Sequence, residues 1–220
     1  MRTNGVVTIG EPGGVHVSEL VSEPKVKGSL FIARLDYLRS KGGAALLEHV
    51  VAQLAPDDAA MLRGPILPVS WYPLDLQLRV DDSIASVVSP NDRSEALIEV
   101  GRAYADAILA PSQQQHMNGA APNHFLEMVP SLYSAYYTAG RREYQPLDEN
   151  AGIIRAFDAE RLDTNDHCWT VVGCLQRGLE LSGAEAVLVT EKSCRAAGAR
   201  CCEYRCEWHG AEATTEGAHF

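Results

Sequence analysis

The chain has 220 residues, 46% of them hydrophobic and 22% charged, which suits one large globular domain or two small ones. A net charge of −10 leaves no surplus of Lys and Arg to neutralise phosphates. That argues against a nucleic-acid partner and against charge-driven binding to an anionic membrane. No apolar run reaches the ~20 residues of a membrane span, and MRTNGVVTIGEPGGVHVSEL lacks the apolar centre of a secretory signal. The expected setting is therefore a reducing cytoplasm, in which disulfides are disfavoured among the six cysteines.

Residues 1–25 are rich in Gly, Val and polar residues and read as an arm, with GVVTIG at 5–10 able to form a short strand. SLFIARLDYLRSKGG then places Leu30, Phe31, Leu35 and Leu38 near one helical face and stops at Gly42–Gly43. AALLEHVVAQLAP continues with Leu47, Val50, Val51 and Leu54 at helical spacing. PDDAAML is a short helix with acids at its positive end. In VSWYPLDLQLRVDDSIASVV, Ser70 can cap, and Leu74, Leu78 and Ile84 suit a helix after Pro73. Ser94 caps EALIEVGRAYADAILA. NHFLEMVPSLYSAYYTAG is helical, bent or restarted at Pro130, and stops at Gly140.

The second half changes character. REYQPL and GIIRAFD are strands joined by the turn-prone DENAG. A helix over 165–183 follows, and AEAVLVTEKSC and CCEYRCEW are strands around RAAGAR. Residues 209–220 are small and polar and read as a tail. The expected fold class is α+β: a helical N-terminal half packed on a small antiparallel sheet, with a strand-strand-helix-strand-strand C-terminal half. Residues 26–208 form a single domain in this reading.

Strand alternation puts Cys202, Tyr204, Cys206 and Trp208 on one face and Cys201, Glu203, Arg205 and Glu207 on the other, charged face. On the helix, Cys168, Val171, Val172, Leu175 and Leu179 form one apolar stripe. Three thiols can therefore converge: Cys168 from a helix start, Cys194 and Cys202 from two arms of a hairpin. They can hold zinc or simply fill space, since buried free Cys is common and no C-x2-C knuckle is present. Cys201 is expected outside, Cys206 in the core and Cys174 off the site.

HCWTVVGCLQRG followed by EKSCRAAGARCCEYRCEW resembles the C-terminal half of 4-vinyl-reductase-like small-molecule-binding domains. The match rests on Cys168–Trp169 and on Cys194-x3-Gly198-x3-Cys202. The resemblance implies a structural zinc on Cys168, Cys194 and Cys202. Its fourth ligand is a glutamate from the strand before the helix, matched by Glu143 with Glu149 second; His167 is a further substitute. Over 26–208, VKGSLFIARLDYLR, LPVSWYPLDLQLRVDDSIA and YYTAGRREY resemble an uncharacterised paralogous family abundant in myxobacteria. A haem-binding relative shares the general fold, which makes a histidine axial ligand conceivable, though none of the seven histidines stands out.

Phe125, Tyr133, Tyr136 and Tyr137, joined by Trp71 and Trp169, are the candidate wall of an apolar pocket; each also suits an ordinary core. No G-x-S-x-G elbow or P-loop is present. The expected function is thus non-catalytic sensing or binding of a hydrophobic or aromatic small molecule, aided by structural zinc. Output would pass through a homodimer or a separate signalling partner. The alternative is a constitutively dimeric assembly protein with a fold like vesicle-tethering subunits. Reduction of a tetrapyrrole vinyl group ranks last.

Overall fold

The computed structural model describes residues 23–109, 122–157 and 165–210. Most of the arm and tail, the 5–10 strand included, lies outside these residues. Strand β1 (Lys25–Lys27) leads into helix α1 (Gly28–Val51), followed by α2 (Pro56–Arg63), β2 (Trp71–Pro73), α3 (Leu74–Val88) and α4 (Arg93–Ile108). After α5 (Pro122–Tyr136) come β3 (Arg141–Asp148), β4 (Ala151–Phe157), α6 (Asp166–Leu181), β5 (Ala184–Ser193), a 3-10 turn at Arg195–Ala197 and β6 (Cys202–Gly210). The fold is α+β, with helices concentrated in the N-terminal half, as the hydrophobic periodicity implies.

The larger sheet is antiparallel in the order β3-β4-β6-β5. Its inner face carries Ile154, Ala156, Cys202, Tyr204 and Cys206, all buried beneath the helices. Its outer face carries ion pairs such as Arg155–Glu203 at 2.8 Å. A second core lies among α1, α3 and the small sheet, built on Val26, Phe31, Leu38, Leu74, Val80 and Ile84.

Two local readings need correction, and a third holds. Asp92, not Ser94, caps α4: its carboxylate accepts from the Glu95 amide, and Ser94 instead donates to Asp92. Residues Trp71–Pro73 pair with Lys25–Lys27 as a two-stranded sheet, too short for alternation to announce. Gly42 and Gly43 interrupt α1 as the sequence implies: both have non-helical backbone angles that split it into two helical segments at a kink, and Gly43 has φ +68, which favours glycine.

Helices α4 and α6 approach more closely than side chains allow. A Cβ on Gly101 would stand 2.0 Å from the Thr170 carbonyl oxygen, and one on Gly173 would stand 2.0 Å from that of Ile98. The crossing fixes α6 against the sheet and sets the height of its first turn. Arg93 clamps the same turn, bonding both Asp82 of α3 and Asp166.

Candidate functional site: a thiol–carboxylate cluster beside an apolar cavity

The first turn of α6 brings Cys168 down to the sheet, where it meets the β5–β6 hairpin. Its sulfur lies 3.6 Å from that of Cys194 and 3.6 Å from that of Cys202. One ligand atom each from Cys168, Glu191, Cys194 and Cys202 falls within 4.8 Å of the others. The hairpin geometry follows from C-x3-G-x3-C. The 3-10 turn after Cys194 closes at Gly198, whose φ of +88 is a glycine conformation, and folds Cys202 back towards Cys194. The turn also aims backbone amides at the sulfurs: the Arg195 N–H donates to Cys202 Sγ at 3.3 Å, and the Ala196 amide bonds Cys194.

The hydrogen bond with the Cys202 sulfur, then burial and the Glu191 carboxylate, push the Cys168 thiol far up, because a lone thiolate there would be both crowded and desolvated. The Cys194 thiol is also raised, chiefly by burial. Glu191 brings a carboxylate into this ring, where its buried Oε1 has only the Cys168 and Cys194 thiols beside it and no donor in good hydrogen-bonding geometry. A carboxylate among thiols, with one oxygen bare, is an unfavourable arrangement unless a cation joins it. Thiolate and carboxylate are both zinc ligands, and tetrahedral bonds of about 2.3 Å to sulfur need sulfurs near the observed spacing. The cluster could hold a metal ion.

Glu143 is not part of the cluster. It pairs across the strands with Arg155, which pairs with Glu203, so it stands on the solvent face of the sheet, opposite to Cys202. There it bonds Arg141 at 3.0 Å. Glu149 is exposed at the β3–β4 turn, at the far end of the strands from Cys202. The carboxylate in the cluster is Glu191, and its signal was available: Val187, Val189 and Glu191 alternate with Leu188, Thr190 and Lys192. This puts an acid in line with Val189, which is buried. Cys206 is a core residue, Cys201 is half-buried, and Cys174 lies away from the cluster on the cavity wall.

The cavity lies on the other side of the same helical turn. It measures about 60 Å³, and Tyr104, Phe125, Tyr133, Tyr137, His167 and Cys174 are among its walls. Tyr133 and Tyr137 stack with centroids 4.4 Å apart, and the Arg142 guanidinium covers Tyr133 at 3.9 Å. Arg34 reaches the wall from α1 but is bound to Asp81 through two bonds of 2.6 and 2.8 Å. Burial pushes the Cys174 thiol up to about 12 and the Tyr104 phenol well above its ordinary value, so both face the cavity neutral. Of the six aromatic residues expected here, Phe125, Tyr133 and Tyr137 line the cavity. Tyr136 packs edge-on to Tyr104, Trp169 packs against the core, and Trp71 is a surface residue under the Lys27 ammonium. Tyr104, Arg142 and His167 are lining residues that the aromatic clustering did not reveal. His167 is turned to the cavity and does not join the metal cluster.

Solved structures similar to this chain are H-NOX proteins. An H-NOX protein from S. oneidensis in its Fe(II)NO state matches with a TM-score of 0.65 at 13% identity, over 84% of this chain and 99% of that one. A Fe(II) unliganded H-NOX mutant from K. algicida matches with 0.62 at 11% identity, over 84% and 98%. An oxygen-binding H-NOX domain related to soluble guanylate cyclases gives 0.60 at 15%, over 83% and 94%. At these identities the likeness establishes the fold alone. It also overturns the 4-vinyl-reductase resemblance, which was confined to the C-terminal half and rested on two cysteine motifs, whereas the H-NOX likeness spans the helical half and the sheet together. No curated protein matches.

Another match concerns haem redox potential and porphyrin distortion, so the cavity can be tested against that group. At about 60 Å³ it is far below the roughly 300–1,000 Å³ of pockets that enclose drug-sized ligands. Its one lining histidine among the described residues, His167, is followed at once by Cys168 of the cluster. Among the described residues, the cavity and its lining do not fit a haem. Across residues 41–209 the sequence matches the model of a protein family of unknown function, DUF2378, and the chain belongs to that family.

Proposed function

We propose that the protein is a non-catalytic small-molecule sensor of a reducing compartment, in which zinc on Cys168, Glu191, Cys194 and Cys202 pins the β5–β6 hairpin to α6. The bare buried oxygen of Glu191 among three thiols is the observation that carries the metal reading. A closed four-ligand site leaves no position for a reacting water, so the ion is structural. Sensing is supported by one turn of α6 serving both places: His167 lines the cavity and Cys168 ligates. A ligand that moves this turn alters the ring of sulfurs, and the differential affinity for the two arrangements is the signal.

The ligand is small and largely apolar. An engineered cavity that binds benzene measures roughly 150 Å³, so a single aromatic ring enters only if the Tyr133–Tyr137 stack gives way. Native mass spectrometry tests the metal reading, with one zinc per chain expected and none in Cys202→Ser. Benzene serves as the single-ring probe: saturable binding read by saturation-transfer NMR is expected, and its loss in Tyr133→Trp follows from filling the cavity. Haemin titration should give no saturable Soret band. Zinc-free protein as stable as the zinc-loaded protein, or stoichiometric haem uptake, would sink this reading.

A further inference from the structure

Tyr204 is fully buried on the inner face of β6, two residues beyond Cys202. Across the sheet it pairs with Ile154 of β4, which lines the cavity, and with Glu191 of β5, which belongs to the cluster. The ring thus stands between cavity and cluster. Its hydroxyl is buried and meets no acceptor in hydrogen-bonding geometry, sulfur included. A buried hydroxyl in that position costs stability unless something else accepts from it.

The polar group facing it is the sulfur of Cys168. The three sulfurs are served unequally. Cys202 receives the Arg195 amide and Cys194 the Ala196 amide, both from the hairpin turn. Cys168 lies on the buried side, where, among the described residues, its sulfur meets Cys194, Cys202, Glu191 and Tyr204, and the only hydroxyl donor among them is that of Tyr204. A thiolate formed there on metal binding carries charge in an apolar interior and needs a donor. Outer-shell donors to ligands set both orientation and affinity.

We propose that Tyr204 is a positioning residue of the metal centre, its phenol O–H donating to the Cys168 thiolate. This rests on the metal reading above. It also makes Tyr204 the side chain through which a change at Ile154 reaches a metal ligand.

Cobalt(II) added to the zinc-free full chain is the probe. Tyr204→Phe keeps the ring and removes the donor. It should weaken cobalt binding roughly 10–100-fold, move the thiolate-to-cobalt absorption to longer wavelength, and speed alkylation of the bound thiolates by iodoacetamide. Tyr144→Phe is the control, because the Tyr144 hydroxyl bonds Asn123 elsewhere on the same sheet; it should change none of the three. A Tyr204→Phe chain that binds cobalt with unchanged affinity and absorption overturns the proposal while leaving the metal site standing. Wild-type protein that takes up no cobalt overturns both. Wild-type protein loaded with cadmium-113 gives a reading free of any folding defect in the variant: an exchange-protected hydroxyl proton coupled to cadmium is expected, and no such proton means no such bond.

Discussion

In the helical half, Phe31, Leu38, Leu74, Val80 and Ile84 pack against one another, and the charges admitted are a matched pair. Arg34 and Asp81 are almost wholly buried, and each side chain answers the other through two hydrogen bonds. In the sheet half the core is left open. Three thiols and a carboxylate meet with a bare oxygen, a phenol lacks an oxygen or nitrogen partner, and a cavity separates Phe125 from the sheet-side residue Ile154. Buried polar groups raise stability when matched and cost it when left unmatched. The helical half also carries such a cost, since the Gln77 amide of α3 is buried without a partner; what sets the sheet half apart is that its unmatched groups gather in one place beside a cavity, which makes it the candidate site.

The largest expected effect is on the incomplete half. Saturating zinc at about a thousandfold its dissociation constant should stabilise the wild type by about 4 kcal/mol against urea, and Cys202→Ser should lose that increment entirely. Uptake should weaken as pH falls, because three thiols must release protons to bind. Next is the matched pair. Asp81→Ala strands the Arg34 charge and should cost about 3 kcal/mol, while replacing both residues by apolar ones should recover most of it. If Asp81→Ala proves neutral, the helical half is not closed in the way argued.

Gly173→Ala follows, at about 2 kcal/mol of lost stability in denaturant unfolding, since the new methyl meets the Ile98 carbonyl. It should also loosen zinc, because α6 positions Cys168; an effect on stability alone would uncouple the helix crossing from the cluster. A smaller effect comes from pH. Burial raises the Cys174 and Cys206 thiols to about 12 from an ordinary 9. The unfolded chain ionises first, so their contribution is complete below pH 9 and is lost as pH rises towards 12, roughly 1 kcal/mol per thiol at pH 10. Cys206→Val should flatten that decline in a urea-midpoint series. Cys201→Ser should change stability by less than about 0.5 kcal/mol and leave zinc binding intact, since Cys201 is outside the cluster.

Residue order alone determined the α+β class, because a period near 3.6 over 29–109 and a period of 2 over 184–208 each state which face is buried. It also determined that Cys202 faces in and Cys201 does not, and that Gly198 turns the hairpin, since alternation and a glycine-demanding turn are local properties. Glu191 is legible by the same alternation, whereas the resemblance implied Glu143 on the strand before the helix, which stands on the face opposite Cys202. Only the tertiary structure decided which aromatic residues reach the cavity. Tyr133 and Tyr137 do while Trp71 stays at the surface, because α5 is seated on β3 and Trp71 belongs to a strand paired with Lys27. It also decided that His167 and Cys168, neighbours in sequence, serve different sites. Successive residues on a helix diverge by about 100°, and what lies in each direction is set by the Gly101–Gly173 crossing and the hairpin beneath it, contacts between segments far apart in the chain.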